Sequence, residues 1–438
     1  MVCIDMYLYL LLVAGIDAYL AYTLPAYRTA AVFSWWHTEY CIIVDGLYVF
    51  VFVFILVFAM AASAIAHRAV HRTVEHYVLT ACMLSTGVVL VVVDDMIAFY
   101  ALFECMLLLI YGYLHQYTIL CRATYAMYML TAYTIAGSSM LCIGVATMYM
   151  CYGTTTATYT TAYSSYQYGI TMLCALSIHV GMYCKIPCWP LQAWLTEAHV
   201  ESSTDGSIIL AGVYLKVGII GWYRYVMCSQ HASMFYCMPV FMLSGIVGTC
   251  ALTALLLYTV DTKRFAAASS IVHMQIATML CIWMQHRCLL VGVLLQLVAH
   301  SWIAAALFYM LGDVYELHGI RSARSLYTYH STATALLLVL LANSGYPCTI
   351  SYYAEWLLIA HALSVSLAIG MLIAGAAGAL ATCGLMMWAQ LSSGQSRLCT
   401  GLTTSLSTSS STILCMYLAL LASTVPSTYA DAVLINIL

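Results

Sequence analysis

The chain has 438 residues, of which 64% are hydrophobic and 7% charged, and its formal net charge is -3 with histidines neutral. So few charges cannot cover the surface of a water-soluble protein this long, and the slight acidic balance offers neither a basic stripe for nucleic acid nor a polybasic tail for anionic lipid. The chain therefore reads as an integral membrane protein whose expected partners are other membrane proteins and lipids.

A helix that crosses a bilayer needs ~20 mostly apolar residues. By that measure the expected spans are 4 to 24, 42 to 66, 77 to 94, 95 to 115, 123 to 152, 166 to 188, 205 to 227, 236 to 259, 265 to 284, 288 to 311, 331 to 361, 363 to 390 and 411 to 429. The first, Ile4 to Leu24, contains Asp5 and Asp17 and lacks a basic leader, which does not fit a cleavable secretory signal. Most charges fall in short connections such as "HRAVHRTVEH" (67 to 76), "VDTKRF" (260 to 265) and "GDVYELHGIRSARS" (312 to 325). The lysines and arginines in them do not favour one side, so the orientation stays open. The 19 cysteines are scattered, and even Cys184 and Cys188 lack the clustering of a zinc, iron-sulfur or disulfide framework. They read as small apolar fillers, and no metal site is expected.

Two spans are interrupted by proline, at Pro187 in "CKIPCWP" and at Pro347 in "NSGYPCTISYYAEW". Proline removes a backbone donor and clashes with the carbonyl four residues earlier. Backbone unwound at membrane depth survives where it is buried or lines a cavity, and a pair of broken helices in different halves is the trace of an inverted-repeat transporter. Four charges within apolar spans ask for an explanation: Glu104, Lys185, Lys216 and Glu355. A charge at mid-bilayer costs ~2.5–3.5 kcal/mol even on the most forgiving scale. Any one of them alone could snorkel to the headgroups. Four on different spans, two acids and two bases, fit a hydrophilic line across the protein better.

Helical spacing gives these groups polar companions. Tyr100 lies four residues before Glu104, Ser351 four before Glu355, Ser269 and Ser270 four and three before His273, and Gln296 four before His300. His273 and His300 are candidate proton relays, since histidine takes up and releases protons near neutral pH. His179 and His361 have no such company and read as packing residues.

"KIPCWPLQAWLTEAHVESSTDGSIILAGVYLKVGIIGWYR", from Lys185 on, resembles the signature of the antiporter-like membrane subunits of proton-pumping NADH:quinone oxidoreductases. Supporting blocks are "DDMIAFYALFECMLLLIYGYL", "DTKRFAAASSIVHM", "LQLVAHSWIAAALFYMLGDVYELHGIRS" and "NSGYPCTISYYAEW", which cover residues 90 to 361 in order. Within the family the resemblance is to the subunit 4 branch of mitochondrial complex I, because Glu355 stands where sister subunits 2 and 5 typically have lysine.

The resemblance implies an all-α polytopic fold of 13 to 14 helices containing two inverted five-helix repeats, each with a broken helix. Residues 1 to 66 and 363 to 438 would flank a first repeat, 77 to 228, and a second, 236 to 361. It assigns Glu104 to the glutamate of the fifth core helix, Lys185 to its lysine partner and Lys216 to the eighth-helix lysine. His273 and His300 become the central relay, and Glu355 the acid of the broken twelfth helix. It further implies a mitochondrial inner-membrane location, sister and accessory subunits as partners, and no redox centre in this chain, with flavin, iron-sulfur clusters and ubiquinone held elsewhere. Gln192 departs from the usual histidine, Thr196 and Ser203 from prolines, and Leu109 from the proline after the glutamate. A subunit of a multi-subunit cation/proton antiporter, or a membrane spacer with an idle channel, remain the alternatives.

Overall fold

A computed structural model describes residues 29–35, 38–44, 74–115, 121–156, 168–227, 231–282, 287–319, 321–323, 330–347 and 349–393. The expected spans 4 to 24 and 411 to 429, and most of 42 to 66, lie outside them. Most of the other expected spans are helices whose ends fall within a few residues of the expected ones, but 288 to 311 runs on to His318 and 331 to 361 is two helices. They are α1 (Val74–Val92), α2 (Met96–His115), α3 (Cys121–Tyr152) and α4 (Tyr168–Lys185). A short α5 (Ala193–Glu201) leads to α6 (Thr204–Ile209), which continues through a π turn (Leu210–Tyr214) into α7 (Leu215–Trp222) and a second π turn (Tyr223–Met227). The second half holds α8 (His231–Tyr258), α9 (Thr262–Ile282), α10 (Arg287–His318), α11 (His330–Asn343), α12 (Ile350–Val365) and α13 (Leu367–Ser393).

One departure from the all-α expectation is an antiparallel hairpin, β1 (Thr29–Trp35) with β2 (Thr38–Val44), paired from Thr29–Val44 to Trp35–Thr38. Both strands are rich in β-branched and aromatic residues, and only two residues separate them. β2 takes the first three residues of the expected span 42 to 66.

Matching contacts recur at a fixed offset. α2 starts at Asp95, whose carboxylate accepts from the Ala98 N–H at 3.1 Å, and Asp95 bridges to Thr156 beyond the end of α3. α9 starts at Asp261, whose carboxylate accepts from the Lys263 N–H at 2.9 Å, and Asp261 bridges to Ser322 beyond α10. Both aspartates are N-caps. Gly153 (φ 69°) closes α3 and Gly319 (φ 66°) closes α10, each in the left-handed region. Each member of the second set lies 166 residues after its counterpart: Asp95 to Asp261, Gly153 to Gly319, Thr156 to Ser322.

Six described helices are long and apolar enough to cross a membrane. Four have 33–39% of their most apolar window buried within the chain, whereas Thr204–Tyr225 and Gly292–Tyr315 are each 94% buried. These two are the innermost, and they carry Lys216, Gln296 and His300. Around them, α3 and α4 approach so closely that a Cβ on Gly137 would lie 2.5 Å from that of Cys184. Small residues at such crossings let helices pack where lipid supplies no hydrophobic drive.

Candidate functional site

The first break follows Lys185, the last residue of α4. Pro187 cannot donate to the Tyr183 carbonyl, four residues earlier, and that oxygen accepts from the Cys188 N–H at 3.4 Å instead. The Cys184 carbonyl, also freed, accepts from the Trp194 indole at 3.1 Å. α5 resumes at Ala193, so the break spans seven residues. It is also tied to the second half: the Trp189 N–H donates to Gln275 Oε1 at 3.0 Å, and Cys188 meets the Thr278 hydroxyl at 3.3 Å.

The second break is not made by Pro347 alone. α11 stops at Asn343 because Gly345 (φ 65°) turns the chain: its N–H donates to Ala342 O at 3.2 Å and the Tyr346 N–H to Leu341 O at 3.1 Å. That pair of bonds is a Schellman cap, and Pro347 then prevents resumption. Thr349 caps α12, accepting from the Tyr352 N–H at 3.2 Å.

Each break places a polar group in the interior. Lys185 is 1% exposed, and its Nζ lies 3.9 Å above the Phe103 ring and 3.5 Å above that of Tyr214, without a hydrogen-bond partner. Both are cation–π geometries. Glu104 Oε1 is likewise buried without a partner. Glu104 and Lys185 are near enough to act on each other electrostatically, but no direct ion pair joins them among the described residues.

Lys216, fully buried, is differently placed. Its Nζ donates to Ala211 O at 2.5 Å and meets His300 Nδ1 at 2.8 Å. Ala211 lies in the π turn, where the wider helical repeat leaves a carbonyl for a side chain. The His300 ring lies 5.4 Å from that of His273, centroid to centroid. His273 Nε2 donates to the Asn343 carbonyl at 2.9 Å, an acceptor left over from the second break. His273 Nδ1 lies 3.0 Å from Gln296 Nε2 and 3.7 Å from Glu355 Oε1, which also accepts from the Ser351 hydroxyl at 3.3 Å. A small cavity lies against His273, Gln296 and Glu355 and is otherwise apolar.

Lys216, His300, His273 and Glu355 thus stand in file from α7 through α10 and α9 to α12, with the two histidine rings adjacent but not hydrogen-bonded to each other. Glu104 and Lys185 form a second cluster, and the Tyr214 ring beneath Lys185 belongs to the residue two before Lys216. The expected companions behave unevenly. Ser351 does reach Glu355, but Gln296 turns across to His273 rather than along its own helix to His300, and the Ser269 and Ser270 hydroxyls donate to Ala266 O. His179 accepts from the Trp222 indole at 2.9 Å and stacks on Phe241, in keeping with a packing residue.

Three buried groups escaped the sequence reading. His199, on α5, stacks on Phe308 with neither ring nitrogen hydrogen-bonded, within electrostatic reach of Lys216 and Lys263. Lys263, placed in a polar loop by sequence, is 2% exposed in the first turn of α9 and donates to Ser202 O at 2.8 Å. Asp205, fully buried, accepts from the Tyr113 hydroxyl of α2. Signal for the first two existed only in their position, His199 within the signature and Lys263 beside the Asp261 cap.

Residues 93–382, well over half of the chain, match the family described as NADH:quinone oxidoreductase/Mrp antiporter, transmembrane. The chain is 30% identical over 274 residues to the NADH-ubiquinone oxidoreductase chain 4 of Acanthamoeba castellanii, and 33% identical over 284 residues to that of Chlamydomonas reinhardtii. Each match covers 60% of this chain but only 54% and 58% of the relative, so the chain spans little more than half the length of these curated relatives. Its fold resembles a chain of the respiratory complex I from Thermus thermophilus with bound NADH, at TM-score 0.86 and 20% identity over 98% of this chain and 92% of that one. It also resembles a chain of the Mrp complex from Dietzia sp. DQ12-45-1b, at TM-score 0.79 and 17% identity over 90% and 76%.

Proposed function

Because this chain belongs to the NADH:quinone oxidoreductase/Mrp antiporter membrane family, we propose that it is a proton-translocating subunit in the membrane arm of respiratory complex I. The observation that carries the reading is the line Lys216–His300–His273–Glu355, which crosses between the two halves on four helices. A buried file of titratable groups is costly in a membrane and serves an ion or proton path. Its chemistry suits relay. His300 Nδ1 faces the Lys216 ammonium and can take its proton, while Nε2 has no protein partner and can release one. Glu104 and Lys185 form the entry or gating cluster, with Lys185 seated on rings rather than in a fixed ion pair, so their mutual attraction can change as protons move.

On this reading the chain works beside sister subunits 2 and 5 and accessory subunits in the mitochondrial inner membrane. NADH oxidation and ubiquinone reduction occur on flavin and iron-sulfur subunits elsewhere, and this chain contributes the proton path. The test is Glu104→Ala and Lys185→Ala in the assembled complex, reading NADH:quinone reductase activity and proton uptake by vesicles. Loss of proton uptake is expected in both. Intact quinone reduction with intact uptake overturns the reading in favour of a structural spacer.

A second reading has support in the Mrp likeness and in the breadth of the family: a subunit of a multi-subunit cation/proton antiporter. Co-purification separates the two. Flavin and iron-sulfur subunits travel with the chain in the first, and sodium-dependent proton exchange in their absence marks the second.

A further inference from the structure

We infer that Gln296 is a positioning residue whose side-chain amide holds His273 ready to accept a proton and must turn over once that proton arrives. The inference rests on the relay reading and deepens it at one step. His273 Nε2 lies 2.9 Å from the Asn343 carbonyl, which can only accept, so Nε2 carries a hydrogen. A neutral ring has one such hydrogen, and Nδ1 is then a bare acceptor. Gln296 Nε2, at 3.0 Å, is the donor that a bare Nδ1 requires. The opposite end of the amide, Oε1, is buried and has no hydrogen-bond partner. A buried amide oxygen left in that state costs about 1–3 kcal/mol.

The unpaired oxygen gains a partner when the ring becomes an imidazolium. The proton comes from the neutral acid form of Glu355, whose Oε1 is 3.7 Å from Nδ1: the O–H bond breaks, an N–H bond forms, and a carboxylate faces an imidazolium. With the amide unturned, the new Nδ1–H would point at the Gln296 N–H. Turning the amide brings Oε1 to Nδ1 and satisfies both. Gln296 and Glu355 line the same small cavity as His273, so the amide stands beside donor and acceptor of the same transfer. The other groups facing His273 are His300 on α10 and, through space, Lys216 on α7. The residues of α13 on the adjoining cavity, Ile373, Ala377 and Leu380, are apolar.

The experiment compares Gln296→Glu, Gln296→Met and His273→Ala in the assembled complex, measuring proton uptake and the pH profile of turnover. His273→Ala is expected to abolish uptake; retained uptake overturns the relay and this inference together. Gln296→Glu replaces the N–H by a second acceptor and favours the imidazolium. It is expected to move the alkaline limb of the profile upward by about one pH unit, a tenfold change in proton affinity. Gln296→Met serves neither state and is expected to lower turnover without that shift. If His273→Ala abolishes uptake while Gln296→Glu leaves the limb in place, the relay stands and the amide switch falls. Should the glutamate variant not assemble, infrared difference spectra of the wild-type complex with carbonyl-labelled glutamine decide. A redox-linked amide band that vanishes in Gln296→Met is expected, and the absence of any such band in wild type overturns the switch.

Discussion

Lys216 on α7 and His300 on α10 meet at 2.8 Å, and the same Nζ donates to the Ala211 carbonyl of the π turn at 2.5 Å. The lysine is therefore aimed from both ends, by its own distorted helix and by the opposite half of the molecule. Lys216→Met keeps the length and apolar stem but removes the transferable proton. Proton uptake in vesicles is expected to fall ~10²-fold, the lower end of what a positioned proton-transfer group contributes. Lys216→Arg keeps the charge, but its planar fork cannot reproduce both contacts and does not release a proton at working pH. It is expected to lose uptake nearly as fully while assembling normally, and substantial uptake by the arginine variant would show that charge alone suffices.

Gly345 and Glu355 occupy one corner of the second break. Gly345 has φ 65°, and a Cβ there would overlap the Glu355 carboxylate. Gly345→Ala thus faces a backbone penalty of ~1–2 kcal/mol and also displaces the acid. Proton uptake is expected to fall along with thermal stability. Pro347→Ala leaves the Schellman cap in place and is expected to retain most of the uptake. If the proline variant proves the more damaging, the break belongs to Pro347 after all.

The fold and the core of the site were legible because their signals are local. Apolar length marked the helices, and a charge within an apolar run marked Lys185, Lys216, Glu104 and Glu355. What escaped depends on tertiary placement. Lys263 reads as a loop residue until α9 begins at Asp261 and packs its first turn beneath Ser202. Gln296 points along its helix toward His300 in a spacing argument, yet its amide crosses to His273 on another helix. The matching contacts 166 residues apart rest on a few isolated cap and turn positions, Asp95 with Asp261, Gly153 with Gly319 and Thr156 with Ser322, so a search for short periods passes over them. Pro347 is the more visible breaker in sequence, whereas Gly345 does the turning, because only φ reveals a left-handed residue.

Arg264 and Lys263 are neighbours with opposite expected weights. Arg264 donates to Glu197 at 2.8 Å, but both side chains are partly exposed, at 44% and 31%, and such pairs contribute ~0–1 kcal/mol. Lys263 is buried and donates to the Ser202 carbonyl. Hydrogen bonds to charged groups contribute ~1.5–3 kcal/mol, and truncation would also strand that carbonyl. Thermal unfolding of the assembled complex is expected to shift little in Arg264→Gln and clearly downward in Lys263→Ala. Equal shifts would mean that the junction between α5 and α9 is held by surface charge.

The first break depends on Trp194 as much as on Pro187. Unwinding α4 leaves the Cys184 carbonyl without its helical donor, and the indole of Trp194, fully buried on α5, supplies one at 3.1 Å. Trp194→Phe keeps an aromatic body while removing the N–H, leaving a buried carbonyl unsatisfied at ~1–3 kcal/mol. The chain can recover part of that by rewinding toward a continuous helix, but Pro187 blocks the bond that rewinding requires. The strain is therefore expected to fall on the neighbouring Lys185, loosening its seat between Phe103 and Tyr214. Trp194→Phe should lower proton uptake more than it lowers the assembly yield, and Trp194→Phe combined with Lys185→Ala should be no worse in uptake than Lys185→Ala alone. Additive losses in that double variant would place the role of Trp194 in packing, independent of the lysine.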